Sequence, residues 1–412
     1  MKKRFTALFL ATVLLVSVFT GCASSSDEID GDSSQTYTIA VVWHGIDETT
    51  QMRANYLADE LGPALGLEFI FSEEIVEPDQ LMTFIENAYA SGADAVLSTF
   101  TDAIEQYASK CDELGLYLAI QTSRYPDEVA SLPYFMGISG VDISKVGDAY
   151  AELLSNNIDP NEKRNFIVVT GGAAMGVTSH MEATSSMLKQ LQEIYGLTYE
   201  MDIDELTTLS STTEISTGSE IKITVVPGFP NMDGYVAGLS GILQTGEYDT
   251  MMSVYNTTTT FATAIDEVER ALNKNIVVLS NANFGEGTKT AFETLDSTGN
   301  PTLEGAVLYS MTAQDAFGVM MLYNGLTGNS DVIKPEGKAA RFGPGALVAN
   351  SPEEYNQLAL LDTSSETYSY TSEEIKNLTK SHNSDLTYED IREVVDAFSS
   401  EDLLTRRGLL EK

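Results

Sequence analysis

Past residue 36 the chain alternates between two hydrophobic patterns. Short, continuous apolar runs suit strands buried on both faces, and longer stretches with apolar residues every three or four positions suit amphipathic helices. Residues Tyr37–Trp43 read as the first strand and Thr49–Leu61 as a helix stopped by Gly62. Strand Leu67–Phe71, helix Pro78–Ser91, strand Ala95–Leu97, helix Asp102–Leu114 and strand Tyr117–Gln121 follow, and the short run Tyr134–Ile138 closes the series. After Gly140 the alternation starts again, with helix Ile143–Asn156, strand Asn165–Thr170, helix Thr178–Tyr195 and strand Ile221–Val226. Helix Met232–Leu243, strand Thr250–Val254, helix Thr259–Leu272, strand Asn275–Ser280, helix Thr288–Leu295 and a sheet element at Leu303–Met311 complete it. The Thr/Ser-rich stretch Met201–Ser219 fits neither period and is expected to be a surface excursion.

Strands alternating with helices predict parallel sheets covered on both faces. Two successive series predict an α/β fold of two doubly wound lobes, because a chain this long exceeds a single core. In open α/β sheets ligands bind beyond the carboxyl ends of the strands. The residues just after each strand are therefore the candidates for function.

The start of the chain has a different character. Lys2, Lys3 and Arg4 precede an apolar run, Phe5–Phe19, shorter than the ~20 residues of a spanning helix, which is the form of a secretory signal. The next residues, Phe19-Thr20-Gly21-Cys22, resemble a bacterial lipobox, in which the cysteine is lipidated and becomes the new N-terminus. Residues 1–21 are thus expected to be a lipoprotein signal peptide, and 22–36 the lipidated Cys22 with a flexible acidic linker. This places the folded part on the extracytoplasmic face of a cell membrane.

Charge narrows the partners. The chain carries 61 acidic against 23 basic residues, a net charge of -38, which disfavours nucleic acid and anionic lipid. Of its two cysteines only Cys111 lies in the folded part, so no disulfide framework is expected, and its helical surroundings suit a buried thiol. Three histidines without paired spacing argue against a zinc site. The glycine-rich turn Gly171–Gly176 lacks the Lys-Ser/Thr of a phosphate loop, and Asp159-Pro-Asn-Glu lacks the spacing of a calcium loop. No cofactor and no metal are expected.

In order along the chain, several phrases resemble the type I periplasmic binding proteins, in particular their sugar-type, ribose-binding-like branch. They are Tyr37-Thr-Ile-Ala-Val-Val, Ala90-Ser-Gly-Ala-Asp-Ala-Val-Leu97, Phe135-Met-Gly-Ile-Ser139, Phe166-Ile-Val-Val-Thr-Gly-Gly172, Val254-Tyr-Asn256, Ile276-Val-Val-Leu-Ser-Asn281 and Ala346-Leu-Val-Ala-Asn350. The resemblance spans about residues 37–360. It implies two lobes joined by three crossover segments with a ligand cleft between them. The N-terminal lobe would be 37–139 plus 313–345, the C-terminal lobe 140–312 plus 346–361, and 362–412 a helical extension. Matched residue by residue, Arg124, Phe229, Asn256, Asn281, Thr312 and His180 are expected at the cleft. The family's stacking pair after the first strand is absent, the turn reading Trp43-His44-Gly45-Ile46-Asp47, and Trp43 and His44 are candidates for the cleft by their place at the strand end. Ser123 and Asn281 replace acidic residues of the family, which suits a polar, neutral ligand.

The function this implies is capture of a small polar solute, a sugar first of all, by a monomeric lipoprotein that delivers it to an ABC transporter permease. Two alternatives share parts of the pattern: a ligand-sensing receptor subunit for a signalling partner, and a lipid-anchored hydrolase. The hydrolase would need a nucleophile with its base at the strand ends, where the sequence offers amides and an arginine.

Overall fold

The structure, a computed structural model, describes residues 35–172, 176–364 and 366–409. The signal peptide, Cys22 and nearly all of the linker lie outside the described residues, as do residues 173–175 of the glycine-rich turn.

In chain order the strands are β1 (Tyr37–Trp43), β2 (Leu67–Glu74), β3 (Ala95–Ser98), β4 (Tyr117–Ile120), β5 (Phe135–Ile138), β6 (Phe166–Thr170), β7 (Thr213–Ile215), β8 (Ile223–Pro227), β9 (Thr250–Asn256), β10 (Val277–Ala282), β11 (Gly305–Leu308), β12 (Ala340–Arg341) and β13 (Leu347–Ala349). They form two sheets, ordered β12-β5-β4-β3-β1-β2 and β13-β11-β10-β9-β6-β8-β7. Every pairing in the first sheet is parallel. The second is parallel except at its edges, where β7 and β13 run antiparallel to β8 and β11. The two-lobed α/β class expected from the alternation is the one observed.

The continuous apolar runs are buried on both faces. Successive residues of β1 alternate sides: Ile39 and Val41 join a core that includes Leu97 and Phe317, whereas Ala40 and Val42 join one that includes Ile85 and Ile104. The period-two pleat puts neighbours on opposite faces, so only a run without polar breaks can serve both.

The helices are α1 (Thr50–Asn55), which passes through a π-helical turn (Tyr56–Leu61) into α2 (Gly62–Leu65), then α3 (Pro78–Ala90), α4 (Ile104–Leu114), α5 (Ile143–Asn157), α6 (Thr178–Tyr195), α7 (Ile203–Thr207), α8 (Tyr235–Leu243), α9 (Thr257–Thr260), α10 (Ala262–Leu272), α11 (Glu286–Glu293), α12 (Met311–Leu326), α13 (Pro352–Thr363), α14 (Ser372–Asn377), α15 (Tyr388–Asp396) and α16 (Ser400–Arg406). Thr312–Gly325 of α12 is buried throughout, since this helix packs on β3, β4 and β5 and is covered by α13 and α14. A helix apolar all round is one enclosed on all sides.

The stretch Met201–Ser219 is not a mere excursion. It holds α7 and the edge strand β7, with Leu206 and Ile215 buried. Both elements, five and three residues long, are too short for either period to register.

The chain passes between the sheets three times: from β5 to α5, from β11 to α12, and from β12 to β13. The first and third crossings touch, since Asp142 N donates to the Pro344 carbonyl over 3.0 Å. A side chain at Gly343 would overlap the Gly140 carbonyl, so only glycine allows this approach.

Candidate functional site

The turn after β1, the ends of β3 and β4, and the start of α12 enclose a cavity of about 330 Å³ at the carboxyl edge of the first sheet. His44, Asp47, Arg53, Glu74, Thr99, Gln121 and Gln314 supply its polar lining. Its centre is a buried ion pair. Arg53 Nε donates to Asp315 Oδ2 over 2.8 Å and Nη2 to Oδ1 over 2.7 Å, a two-pronged contact that matches the planar fork to the carboxylate. Gln121 closes the set, accepting from Arg53 Nη2 at 2.8 Å and donating to Asp315 Oδ1 at 2.6 Å. Arg53 is 6% exposed and Asp315 is fully buried. Burial works against the guanidinium charge, but the adjacent Asp315 outweighs it and raises the arginine's pKa. Among the described residues Arg53 Nη1 takes no hydrogen-bond partner, and Arg53 lines the cavity.

His44 is held from two sides. Its backbone N–H donates to Thr99 Oγ1 over 2.7 Å, and its Nδ1 lies 2.9 Å from the Ile75 carbonyl. A carbonyl only accepts, so Nδ1 carries the proton, and in the neutral ring Nε2 is left as an acceptor. Asp47 takes hydrogen bonds from Thr49 and Thr50 on Oδ1. Burial opposes its charge, yet those hydrogen bonds and Arg53 prevail and hold its carboxyl below the usual range.

At the carboxyl edge of the second sheet a smaller cavity, about 160 Å³, is lined by Tyr150, Ser179, His180, Val254, Asn281 and Tyr309. Burial pulls the His180 pKa down to about 4, so its ring is neutral. Tyr309, hydrogen-bonded to Asn281, is pushed up to about 12 by burial and keeps its proton. Beside this cavity stands an aromatic group: Tyr255 is nearly perpendicular to His180 at 4.9 Å and to Phe229 at 5.5 Å between ring centres. The two cavities offer fixed hydrogen-bond donors and acceptors. Among the described residues no cluster of metal-ligating side chains is found, and no helix is long and apolar enough to cross a membrane.

No family model and no curated protein matches the chain. Solved structures do. An ABC transporter periplasmic solute binding protein from Actinobacillus succinogenes 130z with bound D-allose superposes with a TM-score of 0.55 at 14% identity, over 78% of this chain and 99% of that one. The fold is that of a type I periplasmic binding protein. A solute binding protein from Burkholderia graminis C4D1M in complex with D-arabinose gives 0.52 at 13% identity, over 76% and 95% of the two chains. One from Bacillus halodurans C-125 with bound myo-inositol gives 0.51 at 16% identity, over 80% and 99%. At these identities the likeness is one of fold.

In this periplasmic-binding-protein fold the residues expected at the cleft separate into groups. His44 lines the first cavity, and His180 and Asn281 the second. Phe229 is half-buried against Tyr255, near the second cavity but not among its lining. Trp43 is 3% exposed, stacked on Phe71, with the Arg53 guanidinium 4.5 Å above its ring. It supports the arginine instead of lining the cavity. Arg124 points to solvent and pairs with Glu105, outside both cavities. Asn256 caps α9, accepting from Thr258 N over 3.0 Å. Thr312 is buried and donates to Asp362 over 2.6 Å, while Gln314, two positions further along the helix, lines the first cavity.

Arg53, Gln121, Gln314 and Asp315 escaped the sequence reading. A signal for two of them existed. Arg53 lies three and four positions before Tyr56 and Leu57, on the apolar face of its helix, and Asp315 is the one charged residue of a helix that is mostly apolar. A charge on a buried face is rarely left unpaired.

Proposed function

We propose that the chain is the solute-binding lipoprotein of an ABC uptake system, which captures a small polar solute between its lobes and presents it to a membrane permease. The observation that carries this reading is the first cavity. It is a preformed polar chamber at a sheet's carboxyl edge, with a fixed guanidinium held by Asp315 and Gln121. A sugar or cyclic polyol is the ligand class it suits, since Arg53 Nη1, Gln314 and the His44 Nε2 acceptor could address several hydroxyls at once. The ligands named in the similar structures, D-allose, D-arabinose and myo-inositol, belong to that class. Binding without turnover fits a site built from hydrogen bonds. Lipidation at Cys22 would hold the protein at the extracytoplasmic face, with residues 22–36 as the tether.

The test is thermal melting and calorimetry with D-allose, D-arabinose, myo-inositol and a wider set of sugars and polyols, followed by recovery of the ligand. A true ligand at a hundred times its Kd adds about 2.7 kcal/mol to stability. It should be recovered chemically unchanged, and Gln314→Ala and Asn281→Ala should each weaken it. A ligand that both variants bind normally would remove the cleft assignment. A ligand returned as product would make the chain an enzyme.

A further inference from the structure

We propose that the C-terminal segment, residues 362–409, is a brace across the hinge that holds the two sheets at one angle, with Glu374, Arg406 and Arg407 as its catch. The proposal rests on the two-lobed fold and is independent of the ligand.

The segment lies beyond residue 360, where the resemblance to binding proteins ends, yet it touches every crossing. At the second crossing Asp362 accepts from Ser310 Oγ and Thr312 Oγ1, both at 2.6 Å, and Ser369 Oγ lies 3.1 Å from Ser310 Oγ. At the first, Lys145 Nζ, in the opening turn of α5, donates to Asp396 over 2.8 Å and to the Val395 carbonyl over 3.2 Å. At the third, Arg392 Nη1 donates to the Arg341 carbonyl over 2.6 Å. The Ser400 hydroxyl accepts from Val348 N at 2.8 Å and donates to the Val348 carbonyl at 2.9 Å.

The two ends of the segment sit on different lobes. Its start is fixed to the first: Tyr56 OH donates to the Tyr370 carbonyl over 2.7 Å, Ser372 N to Glu60 over 2.7 Å, and Lys380 N to Asn324 over 2.9 Å. Its last helix, α16, packs on β13 and α13, beside the second sheet. One ionic cluster joins these ends. Glu374, at the start of α14, accepts from Arg406 Nη1 at 2.8 Å and from Arg407 Nη1 at 3.0 Å and Nη2 at 2.5 Å. Arg407 Nη2 also donates to the Ser369 carbonyl over 2.9 Å. The cluster is partly sheltered, with side-chain exposures of 31% for Glu374 and 15% for Arg407. Rotation of one lobe against the other bends the crossings. Here such a rotation would also have to draw α16 from α14 and part Glu374 from its arginines.

Hydrogen exchange and small-angle scattering of the ligand-free full chain, wild type against Glu374→Gln and Ser400→Ala, decide the matter. Gln at 374 keeps an acceptor for the cap of α14 and removes the charge. In the wild type the amides of Asp142, Phe342 and Val348 should be protected, and scattering should fit a single interlobe angle. In both variants those amides should exchange at least about tenfold faster and the scattering should need a spread of angles, while the amides of β1 and β6 stay protected. Should Glu374→Gln lose the β1 and β6 protection as well, Ser400→Ala, which removes one hydroxyl, decides. The brace is overturned if the crossing amides exchange equally fast in all three proteins. It is equally overturned if residues 372–407 open in the variants while the crossings and the scattering stay unchanged.

Discussion

At the scale of single residues, the molecule keeps its strongest polar interactions where they fix geometry. Asp315 is fully buried, and its loss would strand the Arg53 charge. We expect Asp315→Ala to cost about 3–5 kcal/mol in denaturant unfolding, and Arg53→Met with Asp315→Leu to recover most of it, because a stranded charge costs more than a missing pair. Tyr370 poses the opposite case: its hydroxyl is buried and, among the described residues, without a hydrogen-bond partner. Tyr370→Phe should therefore leave the unfolding midpoint unchanged or raise stability by up to about 1 kcal/mol. The strand-end turns singled out in the sequence border the cavities, but not every side chain expected there lines them. Arg124 follows β4 as the family pattern asks, yet an exposed arginine on an acidic surface finds a nearby carboxylate, Glu105. Arg53 is distant from every strand end in sequence and reaches the cavity only because α1 lies across it, a juxtaposition that strand-by-strand reading does not supply.

Elements were more legible than side chains. The buried parallel strands announced themselves because burial on both faces demands unbroken apolar runs, as in Ile39–Val42. The edge strand β7 went unread because an edge needs one apolar face only and its three residues supply one, Ile215. The pairing of α10 with β10 carries a consequence for pH. Glu269, on α10, accepts from Ile276 N, and Glu304, before β11, accepts from Val278 N. Burial pushes both carboxyls up to about 7, against an ordinary value of 4.5. For an acid raised in this way the folded state holds a proton that the unfolded state releases. Stability should therefore be highest below about pH 4.5 as far as these groups are concerned, and fall as pH rises to 7, by up to about 3 kcal/mol per carboxyl. Glu304→Gln should flatten that slope in urea titrations between pH 5 and 8. A slope unchanged by the substitution would assign it to other groups.

On the scale of the whole molecule, lipidation would decide where the protein works. Cys22→Ala should move it from the membrane fraction to the medium or periplasm and abolish labelling by a fatty-acid probe. Retention of both would rule out the anchor. The chain is strongly acidic, with a net charge of -38, and should show no salt-sensitive association with DNA or anionic vesicles.

The chain contains one tryptophan, and the fold has put it directly beneath the arginine of the cavity. Its indole is buried, stacked on Phe71 and 4.5 Å from a positive charge that an occupant of the cavity would perturb. Its emission should therefore report occupancy of the cavity, free of background from other indoles. Titrating candidate solutes while recording the colour and intensity of that light would reveal the ligand without label, mutation or permease.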